Sequence, residues 1–240
     1  MGMPITVEIV DCQTRTLLDD VFAYFNVIDC RFSPFKPDNE ITALNQGGLA
    51  RANMSAHMRE ILTIADQMRR RTYGYFDICR PDDFIDPSGV VKGWAIRNAC
   101  RLVESAGVRN YLIEAGGDIQ SGGKAADGTD WKIGIRNPFN DREIVKAVRP
   151  LGHGVATSGT YVRGTHIYNP HRPTEPVADI VSLTIIGLDV LQADLHATAA
   201  FAMGQQGIYY IEELPGLEGY AVDKNGVATH TTGFNSFVVS

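Results

Sequence analysis

The chain opens with alternating apolar positions and then changes to a helical repeat. In the stretch PITVEIV, Ile5, Val7 and Ile9 occupy every second position, which predicts a strand with one buried face. From Leu17 to Ile28 the apolar residues recur at the spacing of one helix face. The pattern therefore predicts that the fold begins with a strand followed by a long helix.

Three further segments have helical patterns. The stretch NEITALN predicts a short helical turn, and MSAHMREILTIADQMRRRT predicts an amphipathic helix with Ser55 as its N-cap. Another helix is predicted to begin near Lys92 and Gly93 and to be closed by Gly107. Together with the long opening helix, these segments supply helices to pack against the strands that follow.

Short extended runs, separated by turn residues, come next. They are NYLIEA, DIQSG, WKIGI, IVKAV, HGVAT, THIYN and VSLTIIG. Their spacing is too short for helical crossovers, so antiparallel pairing is predicted. Near the C-terminus, Asn225 and Gly226 lie between two alternating runs and predict a hairpin. The predicted class is α+β, with antiparallel sheets packed with helices in one domain, residues 1–240.

Composition excludes several classes of function. The chain has 240 residues, a net charge of −6 and basic residues that are dispersed except for RRR at 69–71, so we expect no nucleic-acid partner. The four cysteines are widely spaced without a C-x-x-C pair, which argues against a thiolate zinc site or a redox dithiol. The sequence has neither an apolar run of about 18 residues nor a signal-peptide pattern at its start, which predicts no membrane span and a cytoplasmic location. A chain whose leader had been removed would read the same way.

The first candidate for chemistry is the stretch LQADLHATAAFAMG. A rotation of about 100° per residue puts Asp194 and Thr198 about 40° apart on one helix face. Their carboxylate and hydroxyl oxygens suit Mg²⁺ or Ca²⁺. Alternatively, Asp194 caps a helix that begins at Leu195, and Thr198 bonds to the preceding turn. Taken alone, the stretch leaves both interpretations open.

A second candidate is the stretch GVATSGTYVRGTHIYNP. Thr157, Ser158 and Gly159 follow a predicted strand, and such a loop can offer backbone N–H groups to an anion. His166 lies within reach of that loop if the two strands form a hairpin, and it titrates near neutral pH as a general base must. A polar turn and a structural histidine are the alternatives.

A third candidate is EAGGDIQSGG, in which Asp118 follows a glycine pair. Gly116 and Gly117 allow a ligand or another backbone to come close, although a tight bulge would need them equally. The spacing does not match G-x-G-x-x-G, so the dinucleotide fingerprint is absent.

The fourth candidate, DPSGVVKGWAI, combines a turn with the predicted start of a helix. Lys92 near a helix N-terminus could seat a phosphate. The turn residues Asp86 to Gly89 are equally well explained as turn and cap chemistry.

Taken in order, the motifs resemble the ApbE family, the FAD:protein FMN transferases that attach FMN covalently to a threonine or serine of flavoproteins. The resemblance runs through nearly the whole chain, in the segments MGMPITVEI, FSPFKPDNEITALN, TYGYFD, DPSGVVKGWAI, YLIEAGGDI, WKIGIRNP, VATSGTYVR, HIYNP and SLTIIGLDVLQADLHATAAFAMG. It implies a T-fold-like domain, FAD as substrate, Mg²⁺ as cofactor and an acceptor flavoprotein as partner.

The resemblance also implies roles for individual residues. Asp194 and Thr198 would bind Mg²⁺ together with a main-chain carbonyl near Gly89, and His166 would be the base that activates the acceptor hydroxyl. The residues that would line the flavin, nucleotide and phosphate sites are Asn45, Ser88, Lys92, Ala115, Gly116, Gly117, Asp118, Thr157, Ser158 and Gly159.

One segment departs from the family pattern. Between TYGYFD and DPSG the chain has only residues 78–87, where typical members carry a longer segment that helps to enclose the nucleotide. Three activities stay open: transfer of FMN to a protein, hydrolysis of FAD to FMN and AMP, and binding of FAD without catalysis.

Overall fold

The chain folds into a mixture of helices and antiparallel strands, in a computed structural model that describes residues 2–12, 15–160 and 167–239, without the side chain of residue 51. The helices within these residues are α1 (Arg15–Phe32), α2 (Glu40–Asn45), α3 (Ala56–Arg71), α4 (Ser88–Ser105), α5 (Val190–Ala202) and α6 (Gln206–Glu212). The strands are β1 (Ile5–Ile9), β2 (Tyr111–Ala115), β3 (Asp118–Gly122), β4 (Ile133–Asn137), β5 (Asn140–Val148), β6 (Gly154–Gly159), β7 (Ile180–Gly187), β8 (Glu218–Asp223) and β9 (Ala228–His230). Short 3-10 turns cover Arg51–Asn53 and Phe234–Phe237.

The strands form two antiparallel sheets. The larger sheet has seven strands in the order β1-β2-β3-β6-β7-β8-β9, and β4 pairs with β5 in a separate hairpin. The predicted α+β class with antiparallel sheets is confirmed. The assignment of the whole chain to one domain stays a prediction.

The N-terminal helices form where the apolar repeat predicts them. The buried positions of α1 recur every three or four residues and are Leu17, Val21, Phe25, Ile28 and Phe32. Ser55 caps α3, because its hydroxyl accepts a hydrogen bond from the Met58 N–H at 3.1 Å. Both helices bury their apolar faces in the same cluster as α4, which leaves the opposite side of α4 free to contact α5.

Helix α5 is buried on nearly all sides because it lies between α4 and the large sheet. Leu191 and Leu195 pack into the cluster that contains α4, whereas Ala197 and Phe201 pack against residues of β7 and β8. A Cβ at Gly154 would lie 2.1 Å from the Val190 nitrogen, so β6 reaches the start of α5 only because it begins with glycine. The polar side chains of Asp194 and His196 on α5 are therefore held inside the protein.

The other face of the large sheet is covered by the β4–β5 hairpin and the C-terminal 3-10 turn. The buried apolar residues that meet there are Ile133, Ile135, Val148, Val155, Ile186, Tyr220, Val222 and Phe234. Burying an aliphatic side chain of this size contributes about 1.5–3 kcal/mol, so the sheet is stabilised from both faces.

One segment differs from the sequence prediction and another confirms it. THIYN is predicted as a strand, but its described part, 167–169, is not in a strand, and β6 pairs with β7 instead. The turn between β8 and β9 confirms the hairpin at Asn225 and Gly226, with Gly226 at φ 82°. No helix in residues 2–12, 15–160 and 167–239 is long and apolar enough to span a bilayer.

Candidate functional site

Asp194 is a buried carboxylate in the second turn of α5. The helix begins at Val190, and its N-cap is Asp189, which accepts a hydrogen bond from the Gln192 N–H at 2.9 Å. The predicted start at Leu195 and the predicted N-cap role of Asp194 are therefore wrong. The apolar residues before Asp194 continue the helix, because they are buried against neighbouring elements and need no solvent-facing side.

The carboxylate of Asp194 is held from α4 by two contacts. One oxygen, Oδ2, accepts a hydrogen bond from the Gly93 N–H at 3.1 Å, and the other, Oδ1, lies 3.2 Å from the Lys92 ammonium. A Cβ at Gly93 would lie 2.9 Å from the Leu191 Cα, so glycine is needed for the two helices to come this close. The side chain of Asp194 is 3 % exposed, so its charge is compensated by neighbouring protein groups.

Lys92 lies between two carboxylates. Its ammonium is 2.5 Å from Asp118 Oδ2 as well as 3.2 Å from Asp194 Oδ1, and 17 % of the side chain remains exposed. Helix α4 begins at Ser88 with Pro87 as N-cap, not near Lys92 as predicted. Lys92 is therefore in the second turn, and its ammonium is in an ion pair instead of serving the helix N-terminus.

Burial and charge shift the protonation of this cluster. Burial raises the pKa of Asp194 above its usual range, against the opposing effect of Lys92, and repulsion from Asp118 raises it further. Burial would lower the pKa of Lys92, but the two carboxylates outweigh that effect and raise it. With all three groups ionised, two carboxylates and one ammonium leave one negative charge in the interior.

Asp118 enters the cluster from a tight hairpin turn. Ala115 pairs with Asp118 across β2 and β3, and the two residues between them, Gly116 and Gly117, have φ values of 61° and 96°. Positive φ at both central positions is typical of a two-residue hairpin and favours glycine. The glycine pair thus has a structural explanation, and Asp118, which is fully buried, contacts Lys92.

Thr157, Ser158 and Gly159 belong to a strand and not to the predicted loop. All three are in β6 and pair with β7. The Thr157 N–H donates to Asp118 Oδ1 at 3.2 Å, and its hydroxyl lies 2.8 Å from that of Thr184. Because these backbone groups are used in strand pairing and by Asp118, the predicted anion loop does not form at Thr157 and Ser158.

Thr184 and Gly93 contact residues of the candidate site but were not predicted from the sequence to do so. Thr184 is fully buried in β7, directly opposite Thr157. The hydroxyl residues inside the apolar run VSLTIIG, Ser182 and Thr184, are the signal that indicates a buried polar partner. Gly93 gave a weaker signal, a glycine inside a helix, where the residue lowers helix stability and so indicates a packing reason.

Asn45 ends α2 and binds the short segment 78–87. Its Nδ2 donates to the Ile85 carbonyl at 3.0 Å, and its Oδ1 accepts from the Ile85 N–H at 2.7 Å. The side-chain amide thus replaces a strand partner for Ile85, close to the bridge between Cys79 and Ile85. Its contact with flavin stays a prediction.

For the remaining predicted site residues, the structure gives only a position and a degree of burial, or no description. His166 lies outside the described residues. Thr198 is half-buried, one turn after Asp194, while Gly89 is partly buried and Ser88 exposed in the first turn of α4. Their roles toward a metal or phosphate stay predictions.

The oxygen donors fit a hard cation that also binds substrate. Within the part of the chain that the structure describes, no three or more His, Cys, Asp or Glu side chains cluster in a way that could hold a metal. A cation at Asp194 and Thr198 would therefore need oxygens from the main chain, water or a phosphate, which is how Mg²⁺ commonly binds. A separate cleft of about 1020 Å³ between α1 and α2 is lined by Cys30, Glu40 and Leu49 among others, and by none of the predicted site residues.

The sequence matches the ApbE family model at residues 1–81 and 79–221. It is 32 % identical over 193 residues to the FAD:protein FMN transferase of Escherichia coli strain K12, covering 75 % of this chain and 54 % of that protein. Over 218 residues it is 28 % identical to the Klebsiella pneumoniae strain 342 protein of the same name, covering 85 % and 61 %. The chain thus spans about half the length of the first of these relatives.

Two solved structures share the fold. The flavin transferase ApbE from Vibrio cholerae has a TM-score of 0.87 and 21 % identity, with 99 % of this chain and 96 % of that chain covered. The ApbE protein from Thermotoga maritima has a TM-score of 0.86 and 21 % identity, with 100 % and 97 % covered. The ApbE-like architecture implied by the sequence is confirmed.

Proposed function

Because the chain belongs to the ApbE family, we propose that it transfers FMN from FAD to a threonine or serine hydroxyl of an acceptor flavoprotein, and releases AMP. The observation that carries the proposal is the buried Asp194 carboxylate beside Lys92 and Asp118, a cluster that keeps one negative charge when all three groups are ionised. A net negative, oxygen-rich cluster suits a divalent cation, and a cation suits a pyrophosphate.

The chemistry requires a proton to leave the attacking hydroxyl and negative charge to be neutralised on the departing AMP. We assign to His166 the role of the base that accepts this proton, because HIYNP resembles the family motif. Bound Mg²⁺ would supply Lewis-acid neutralisation at the phosphates, held by Asp194, Thr198 and the main-chain carbonyl near Gly89.

The chain's own groups would orient the nucleotide. Lys92 is paired to both carboxylates and keeps part of its side chain exposed, and we propose that its ammonium also faces a phosphate. Asp194 is held by the Gly93 N–H, which limits its movement before substrate arrives. Such preorganisation lowers the cost of reaching the transition state.

The direct test is to incubate the full chain with FAD, Mg²⁺ and an acceptor domain that carries a threonine in a flavinylation sequence. We expect a covalently fluorescent acceptor on a denaturing gel and one AMP per modified acceptor. Asp194→Asn should abolish labelling, and His166→Gln should slow it by about 10²–10⁴-fold.

The matched control is Asp66→Asn, the same acid-to-amide change at an exposed residue paired with Arg70. It should label the acceptor at the wild-type rate. If wild type forms no fluorescent acceptor and Asp194→Asn changes nothing, the transferase proposal is wrong.

The short segment 78–87 is the observation that favours two other activities, because the family resemblance implies a longer segment there that helps to enclose the nucleotide. Water in place of the acceptor would make the protein an FAD pyrophosphatase, and loss of catalysis would leave an FAD-binding protein. Chromatography without acceptor separates them: hydrolysis releases free FMN and AMP in equal amounts, whereas simple binding leaves FAD intact.

A further inference from the structure

Asp118 connects three elements around one buried carboxylate. It begins β3, its Oδ1 accepts the N–H of Thr157 in β6, and its Oδ2 lies 2.5 Å from the ammonium of Lys92 in α4. The side chain has no exposed surface. A buried carboxylate without a cation beside it is strongly unfavourable, so Asp118 needs the Lys92 ammonium, which lies closer to it than to Asp194.

Lys92 is also a potential competitor for Asp194. Its ammonium is 3.2 Å from Asp194 Oδ1, the carboxylate proposed to bind Mg²⁺. Two positive charges at one carboxylate repel each other. A cation binds more readily if Lys92 has a second carboxylate that keeps it in place.

We propose that Asp118 is a positioning residue that draws the Lys92 ammonium towards itself, to 2.5 Å against 3.2 Å from Asp194 Oδ1, and so leaves the Asp194 carboxylate more available to the cation. The proposal rests on the cation site of the proposed function. With Asp118 and with all three groups ionised, the cluster carries one negative charge, and a divalent cation would raise the sum to one positive charge facing the pyrophosphate. Without it, Lys92 alone neutralises Asp194, and the cation enters a neutral site against an ammonium.

The test measures Mn²⁺ binding by electron paramagnetic resonance to the full chain saturated with FAD. We expect Asp118→Asn to raise the Mn²⁺ dissociation constant by about 10-fold or more, as is typical when a partner of a metal ligand is removed. The double variant Lys92→Met with Asp118→Asn should return to near the wild-type constant, because the competing ammonium is gone.

A purely structural role predicts a different pattern. If Asp118→Asn binds Mn²⁺ as wild type does, or if the double variant binds as weakly as the single one, the proposal is overturned. Should Asp118→Asn fail to fold, Lys92→Met alone tests the same competition: it should bind Mn²⁺ at least as tightly as wild type, and weaker binding overturns the proposal.

Failure of the underlying cation site gives a separate signature. If wild type does not bind Mn²⁺, or if Asp194→Asn binds it unchanged, the site itself is refuted together with the role of Asp118. If Asp194→Asn loses Mn²⁺ and Asp118→Asn does not, only the role of Asp118 is refuted.

Discussion

Gly93 of α4 donates its backbone N–H to the carboxylate of Asp194 on α5, across a distance of 3.1 Å. The two residues are 101 positions apart in the chain. A backbone donor at this point is accessible only because residue 93 has no side chain. The contact therefore links close helix packing directly to the position of the candidate metal ligand.

Adding a methyl group at Gly93 should disturb both the packing of α4 against α5 and the position of Asp194. The new Cβ would lie 2.9 Å from the Leu191 Cα and 3.1 Å from Asp194 Oδ2, so the helices must separate. We expect Gly93→Ala to lower the free energy of unfolding by about 1–3 kcal/mol and to weaken Mn²⁺ binding. Urea denaturation and the Mn²⁺ titration check this.

The control is Gly48→Ala, where the added Cβ meets the Ala43 carbonyl oxygen at an ordinary 3.6 Å. It should change neither the free energy of unfolding nor the affinity for Mn²⁺ appreciably. If Gly93→Ala is as stable as wild type, the two helices have enough space for the added methyl group, and the prediction is wrong.

The N-cap of α5 should contribute measurably to stability. Asp189 accepts the Gln192 N–H at 2.9 Å, so Asp189→Ala leaves a backbone donor without its partner. We expect a loss of about 0.5–2 kcal/mol in chemical denaturation. Asp189→Ser, which can still cap, should retain most of the stability, and equal losses in both variants would contradict the capping role.

Asn45 should control the opening of the segment 78–87. Asn45→Ala removes both hydrogen bonds to the Ile85 backbone, which we expect to cost about 1–3 kcal/mol. Amide hydrogen exchange at Ile85 should become faster, whereas exchange in the middle of α1 should be unchanged under conditions where exchange occurs by local opening.

Asn45→Asp provides the matched comparison. It keeps an acceptor for the Ile85 N–H and loses the donor to the Ile85 carbonyl, so its stability should fall between those of wild type and Asn45→Ala. A variant as unstable as Asn45→Ala would mean that the donated bond accounts for the whole effect.

The hydroxyl pair between β6 and β7 should show coupling. Thr184 is fully buried and lies opposite Thr157, so Thr157→Val leaves a buried hydroxyl without that partner. We expect Thr157→Val to lower the free energy of unfolding by about 1–3 kcal/mol. When Thr184→Val is added, the loss in the double variant should be smaller than the sum of the two single losses. Strict additivity in a double-mutant cycle would exclude an energetic contribution from the pair.

The local elements could be predicted because their signals lie within a few residues. The apolar repeat of α1, the Ser55 cap of α3 and the Asn225-Gly226 hairpin each depend on neighbours in the chain. Motif order identified the family by the same kind of short-range information. The ends of buried helices were harder to predict. Helices α4 and α5 begin four and five residues before their predicted starts. A helix that is buried on most sides carries little polar periodicity, so its sequence pattern does not mark where it begins.

What the sequence alone determined is the α+β class, most of the elements, the family and the choice of Asp194 and Thr198 as candidates. Only the tertiary structure decided that Lys92 pairs with Asp118 and Asp194, that Thr157 bonds to Asp118 and that Gly93 donates to Asp194. These contacts join residues on different helices and strands. They depend on how α4, α5 and the sheet pack together, and no local pattern of residue types specifies that packing.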